Sequence, residues 1–311
     1  MKRYLTVALV MSAIALAGCS ESLGLDNASE EDRADIMAEL EASGLLGEDF
    51  GLDGLAEGAQ ANLNVSGAVD LAEAPRLWGR RLGPPVSRDI RVVVEGNHAT
   101  VTKTLGFEGA FMVRDVENQT TISKTANHSM TQRAALTRLE RDVVDEATGR
   151  RRRWQLDSLS AQHWYMTAED EQTVQIQRVE IFVDGESVAV IEDPSMLYAV
   201  TGRIPRLRLG QEVKVTAEVL NFTGDESGNA DTYVFLHLFH AAVDARGWAR
   251  IAMEYNAETG VFEKGWVVRH AGRNRLGVDA IDAGSFELID EDNYRAEGWA
   301  IPYRIEDDLG S

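Results

Sequence analysis

The apolar pattern changes character several times along the chain. Tyr4 to Leu16 is an apolar run behind Lys2 and Arg3, and it ends in small residues and Cys19. Residues 20 to about 66 are acidic and glycine-rich, with one periodic stretch. There Ile36, Met37 and Leu40 form a stripe at helical spacing, Ser29 stands at an N-cap position, acidic residues fill the first turn and Gly44 follows the end. That combination predicts a helix over 30–42, placed to dock on the domain that follows. A second helix is expected over 69–82 (VDLAEAPRLWGRRL), with Pro75 starting or bending it.

From Ile90 onward the period is two. Ile90, Val92 and Val94 alternate with Arg91, Val93 and Glu95, and Gly96-Asn97 interrupts before HATVTKTL. A type II′ turn at that Gly pairs Val92 with Val101 and Val94 with Ala99. A longer hairpin follows, with MTQRAALTRLERD and RRRRWQLDSLSAQ joined by DEATG. Beyond the polar TAEDEQ at 167–172 the pattern is wholly β. Asp184-Gly185 suits a type I′ turn that pairs Ile181 with Val188 and Val179 with Val190. Val213, Val215, Ala217 and Val219 alternate with polar residues, and TYVFLHLFHAAV is apolar on both faces, as a central strand is. RIAMEY, FEKGWVVR and RAEGWAIPYRI complete about seven strands, a number that reads as a β-sandwich.

Composition narrows the setting. The run from Tyr4 to Leu16 is too short to span a bilayer, which takes roughly 20 residues. With its basic start it has the form of a secretory signal. Cys19 is the only cysteine of the 311 residues, so disulfides play no part in the fold. The formal charge is −20, and an acidic surface disfavours nucleic acid and anionic headgroups as electrostatic partners.

Three resemblances follow from these residues. Leu16-Ala17-Gly18-Cys19 resembles the lipobox of bacterial lipoproteins. The resemblance implies cleavage before Cys19, a diacylglyceryl group on its sulfur and a lipid-anchored mature chain. Ser20 after the cysteine implies sorting to the outer membrane. The order of helix, long-stranded sheet and closing Trp-x-Leu hairpin resembles the NTF2-like (cystatin-like) α+β cone, which often leaves a pocket. The stretch LGQEVKVTAEV resembles strands of immunoglobulin-like sandwiches. Together they divide the chain into a signal peptide (1–18), an acidic Gly-rich tether with one short helix (19–66), an NTF2-like α+β domain (67–166) and an immunoglobulin-like β-sandwich domain (173–306).

Chemistry is sparse by comparison. His237 and His240 are spaced for one face of a helix, but on a strand that spacing puts them on opposite faces. His98 and His128 fall near strand ends without an identifiable partner. Asp225 to Asp231 alternates oxygen side chains as a calcium loop does, yet lacks the glycine and glutamate of the EF-hand. Gly185 to Ala189 approaches a nucleophile elbow but sits on a hairpin. The run Arg150 to Arg153 is expected to face Asp142, Asp145 and Glu146 across its own turn. Trp164 and Tyr165 are candidates for the rim of a pocket or an interdomain contact. No catalytic residue, metal ligand or cofactor is assigned; Cys19, as the lipidation site, is the one site residue. The expectation is a non-enzymatic, periplasmic, membrane-anchored binding or envelope-assembly module with a protein partner and no nucleic acid. A carrier of small apolar ligands, or a pocket enzyme using the cone, is the alternative.

Overall fold

The structure, a computed structural model, describes residues 27–43, 76–115, 118–144, 149, 151–200, 204–224, 227–228, 231–239, 248–268, 272–289 and 293–306. The apolar run, Cys19 and the 69–75 part of the second expected helix lie outside the described residues.

Helix α1 (Glu30–Ser43) forms where the stripe and cap place it. The Asp32 amide donates to the Ser29 hydroxyl at 3.1 Å, which satisfies one of the helix's first free donors, and the Arg33 amide makes the first regular helical bond, to the Ser29 carbonyl at 2.8 Å. Ile36 and Leu40 are fully buried against Val92, Val101, Leu136 and Trp154. Burying those two side chains contributes roughly 3–6 kcal/mol.

The strands follow in chain order as β1 (Arg76–Leu82), β2 (Ser87–Glu95), β3 (His98–Phe107), β4 (Gly109–Asp115), β5 (Thr121–Thr125), β6 (His128–Val144), β7 (Arg151–Leu159) and β8 (Gln162–Met166). After a single 3-10 turn at Glu169–Glu171 come β9 (Val174–Val183), β10 (Glu186–Ile191), β11 (Tyr198–Ala199), β12 (Arg206–Arg208), β13 (Glu212–Asn221) and β14 (Thr232–Phe239). The last are β15 (Trp248–Ala252), β16 (Glu254–Asn256), β17 (Val261–Val267), β18 (Gly272–Asp282) and β19 (Ala296–Glu306).

These strands make three sheets. The largest runs β11-β7-β6-β8-β19-β18-β14-β15, with β3 also on β6, β2 on β3, and β12 beside β19. Its pairings are antiparallel except that of β12 with β19. A five-stranded sheet, β10-β9-β13-β17-β16, covers one face of the β19-β18-β14 region. Ile181, Val213 and Val215 meet Leu236, Val278, Trp299 and Ile301 there. A three-stranded sheet, β1-β4-β5, covers the opposite face, where Trp78, Phe111 and Val113 meet Phe235, Ile281, Phe286 and Tyr294. Neighbouring residues of β14 therefore serve different cores, Leu236 one and Phe235 the other. This explains why the segment is apolar on both faces.

The expected fold class, an NTF2-like α+β cone followed by an immunoglobulin-like sandwich, is corrected to nearly all β. The segment RLWGRRL forms β1, not a helix, and pairs with β4 over its whole length. Trp78 and Arg80, two residues apart on one face of the strand, are both buried, Gly79 between them is unfavourable to a helix, and Arg81 is exposed. The described helix is α1, which packs against residues of β2, β3, β6 and β7. The β-sandwich shares its larger sheet with strands of the first half, since β8 pairs with β19 at Trp164 and Gly298.

Hairpin detail follows the local pattern closely. Val92 pairs with Val101 and Val94 with Ala99 around a turn with Gly96 at φ +61°. At the next short turn Asp184 and Gly185 both take positive φ, as type I′ requires. The register beyond it differs by one residue from expectation. A bulge at Val188 sets Ala189 opposite Ile181 and Ile191 opposite Val179, and leaves Val188 and Val190 exposed.

Candidate functional site

The densest cluster of chemically capable side chains lies between the large sheet and the three-stranded one. Strand alternation sends Trp78 and Arg80 from β1 inward, and Asp279 from β18 and His237 from β14 toward them. The Arg80 guanidinium grips Asp279 with both ends, Nη1 to Oδ2 and Nη2 to Oδ1, each at 2.8 Å. His237 Nε2 lies 3.1 Å from the same Oδ2. Arg80 Nε donates to the Tyr294 hydroxyl, which lies 2.9 Å from His128 Nε2 on β6. Arg250 of β15 sits 3.7 Å from the centre of the Trp78 ring and donates to the Trp78 carbonyl at 3.1 Å.

Burial governs the charges. Arg80, Asp279, His128 and Tyr294 are each 1% exposed and His237 2%. Burial alone would raise the Asp279 carboxyl; the Arg80 guanidinium and the His237 hydrogen bond outweigh it and hold the group well below the usual carboxylate range. Burial, reinforced by Arg80, pushes His128 down to about 3. His237 is also lowered by burial, against the pull of Asp279. Burial raises Tyr294 well above an ordinary phenol, and Arg250 is pushed down to about 10. At neutral pH the cluster therefore holds an Arg80–Asp279 ion pair with two neutral histidines and a neutral phenol. His237 carries its proton on Nε2 to serve Asp279. The Tyr294 hydroxyl accepts from Arg80 and passes its own proton toward His128. The arrangement is a buried cross-link that clips β1 and β6 to β14 and β18.

A second cluster holds α1. Asp32 Oδ1 accepts from Arg138 at 2.8 Å and from the Trp154 indole at 3.1 Å. Glu39 accepts from Arg152 at 2.9 and 2.6 Å, and Arg153 pairs with Asp35 and, at 2.8 Å, with Glu31. The arginine run thus serves the helix. Among the described residues its expected hairpin contact is seen between Arg151 and Asp142, 3.8 Å apart and exposed. Asp145 and Glu146 lie outside the described residues. A third polar group reaches solvent: His163, one-third exposed, is 2.5 Å from Glu297, which also accepts from the Ile176 amide and the Trp299 indole.

The remaining residues singled out in the sequence separate as follows. Cys19 and His240 lie outside the described residues, as does most of the 225–231 loop; within that loop the Asp231 carbonyl accepts from Asn221 at 3.0 Å. His98 is exposed beside Thr137. Trp164 is buried and stacks on Phe107 with centroids 5.0 Å apart, so it belongs to the core and not to a rim, while Tyr165 is half-buried. Among the described residues no three His, Cys, Asp or Glu side chains are grouped as a metal would need, and no helix is long and apolar enough to cross a membrane. An apolar depression lined by Ala161, Ile191, Tyr198, Ile204 and Ile301 encloses about 10 Å³, room for about one water. Arg80, Asp279 and Tyr294 escape a reading of the sequence. The available signal is a single charge inside an otherwise apolar strand, as in Val278-Asp279-Ala280-Ile281.

Fold and site thus define a nearly all-β protein whose layers are joined by a buried ion pair. No family model and no curated protein sequence matches the chain. Among solved structures a polysaccharide lyase is 10% identical over 71% of this chain and 36% of its own, with a TM-score of 0.19. This chain spans about a third of that lyase. A fragment of extended synaptotagmin 2 that holds its SMP domain and a pair of C2 domains is 8% identical over 73% of this chain and 88% of its own, with a TM-score of 0.12. Scores this low carry neither fold nor function across.

Proposed function

We propose that the protein is a lipid-anchored lipoprotein of the bacterial envelope that acts without catalysis, as a binding or assembly module on the periplasmic side of the outer membrane. The observation that carries this reading is Leu16-Ala17-Gly18-Cys19 behind a basic start and a short apolar run. Two acyl chains at Cys19 hold a protein firmly to a bilayer, at about 0.8 kcal/mol per buried CH₂. The non-catalytic part is supported by the state of the acid–base groups: the ion pair, both histidines and the tyrosine of the central cluster are sealed from solvent and joined to one another by hydrogen bonds. The partner is a protein of the envelope.

Mass spectrometry of the amino-terminal peptide from purified envelope tests the anchor. An acylated Cys19 is the expected result, together with loss of membrane association in Cys19→Ser. A chain cut elsewhere and free of lipid would overturn the reading.

A further inference from the structure

How far the folded body can stand from its anchor is set by the point at which the chain is first held. Among the described residues the first so held is Asn27. It lies along the outer edge of β2, where its amide donates to the Val92 carbonyl at 3.3 Å. Its side chain takes the Val94 amide on Oδ1 at 2.7 Å and donates from Nδ2 to the Val94 carbonyl at 3.1 Å. Three residues later the chain enters α1, which is fastened at both ends, by Asp32 to Arg138 and Trp154 and by Glu39 to Arg152. Helix α1 is therefore part of the body, not of the tether. Eight residue steps separate Asn27 from Cys19. Fully extended they reach about 29 Å at most.

We propose that the β2 edge, the amino-terminal end of α1 and the Gly96-Asn97 turn form the membrane-facing side of the protein, held against the lipid headgroup layer. The inference rests on lipid being attached at Cys19. Sheet order then dictates what faces away. From β2 through β3, β6, β8, β19 and β18 to β14 are six strand spacings, about 29 Å, and the five-stranded sheet packs at that far end. Charge contributes little to the contact, because both signs occur on this side: Arg88, Asp89, Arg91 and Glu95 on β2, with Arg91 3.8 Å from Asp89, and Glu30 and Glu31 at the start of α1. The covalent tie alone brings the edge to the bilayer.

The absence of other cysteines makes the test direct. With Cys19 acylated, an introduced cysteine is the one reactive thiol of the mature chain. Asn97→Cys in the β2–β3 turn and Thr259→Cys in the turn between β16 and β17 are both exposed positions. Each lipidated variant is labelled with a donor dye and placed in phosphatidylethanolamine–phosphatidylglycerol vesicles carrying a headgroup-linked acceptor. Energy transfer at least twofold greater from position 97 than from 259 is expected, unchanged by added salt. Inserting about 24 Gly and Ser residues between Ser22 and Leu23 should abolish the difference. Equal transfer from the two positions at native tether length overturns the proposal. A chain whose Cys19 carries no lipid by mass would instead refute the anchor, and this inference with it.

Discussion

Consider removing one partner of the buried ion pair. In Asp279→Asn the side chain keeps its shape, but the Arg80 guanidinium, 1% exposed, is left as a buried charge without its counterion, and His237 loses a charged acceptor. Breaking a buried pair in this way typically costs about 3–5 kcal/mol. Arg80→Met leaves the Asp279 carboxylate stranded and should cost a similar amount. The double variant Arg80→Met/Asp279→Leu removes both charges and their desolvation together, so its loss should be smaller than the sum of the singles by at least about 2 kcal/mol. Urea unfolding of the soluble chain from Ser20 onward, followed by tryptophan fluorescence, measures all three; Trp78 beside Arg80 reports from within the cluster. Single losses below about 1 kcal/mol that simply add would refute the claim that this pair clips the three-stranded sheet to the large one.

The buried histidines tie stability to acid. His128 is held neutral down to about pH 3, and His237 is also lowered, whereas the unfolded chain takes up both protons near pH 6.5. The unfolded state binds more protons in that window, so stability falls as pH drops from about 6.5, at up to about 1.4 kcal/mol per unit for each histidine. Urea midpoints between about pH 4 and 7 check this, and His128→Gln should flatten the slope. Ser29→Ala removes the cap of α1 and should cost about 1 kcal/mol, read from the urea midpoint. Glu39→Ala should raise hydrogen exchange across Glu30–Ser43 at least tenfold while β13 and β14 stay protected, since α1 docks on the other region of the molecule. A chain ending at Arg295 lacks β19 and should lose protection in β8 and β6 as well as in β18; a protected 76–166 core in that variant would refute the shared-sheet packing.

What could be read from the sequence was local. The β2–β3 hairpin, the inward Val213-Val215-Ala217 alternation and the two-sided β14 depend on neighbours a few residues apart, and each is found as expected. The helix at 30–43 was equally legible, because cap, stripe and first-turn acids agree. Legibility fails where the deciding partner is distant. RLWGRRL has two plausible periods, and only β4 and the buried cluster select the strand. The segment GRNRLGVDAID shows too many charges to announce β18, yet Asp279 is there to meet Arg80, far away in sequence. The bulge at Val188 moves one register by a single residue, which alternation within β10 cannot reveal. His128 lacked a partner in the sequence because Tyr294 lies beyond the intervening strands.

The position of β19 bears on the order of events in making the protein. It is the last strand in sequence but an interior one in the sheet, paired with β18 on one side and with β8 on the other, and flanked by β12. The contact between Trp164 and Gly298 closes a loop of well over a hundred residues, which makes this pairing slow to form and dependent on the carboxyl-terminal end. While the chain emerges from a ribosome or passes through a membrane pore amino terminus first, the large sheet has an unfilled slot between β8 and β18. The large sheet therefore cannot close until β19 itself has been delivered.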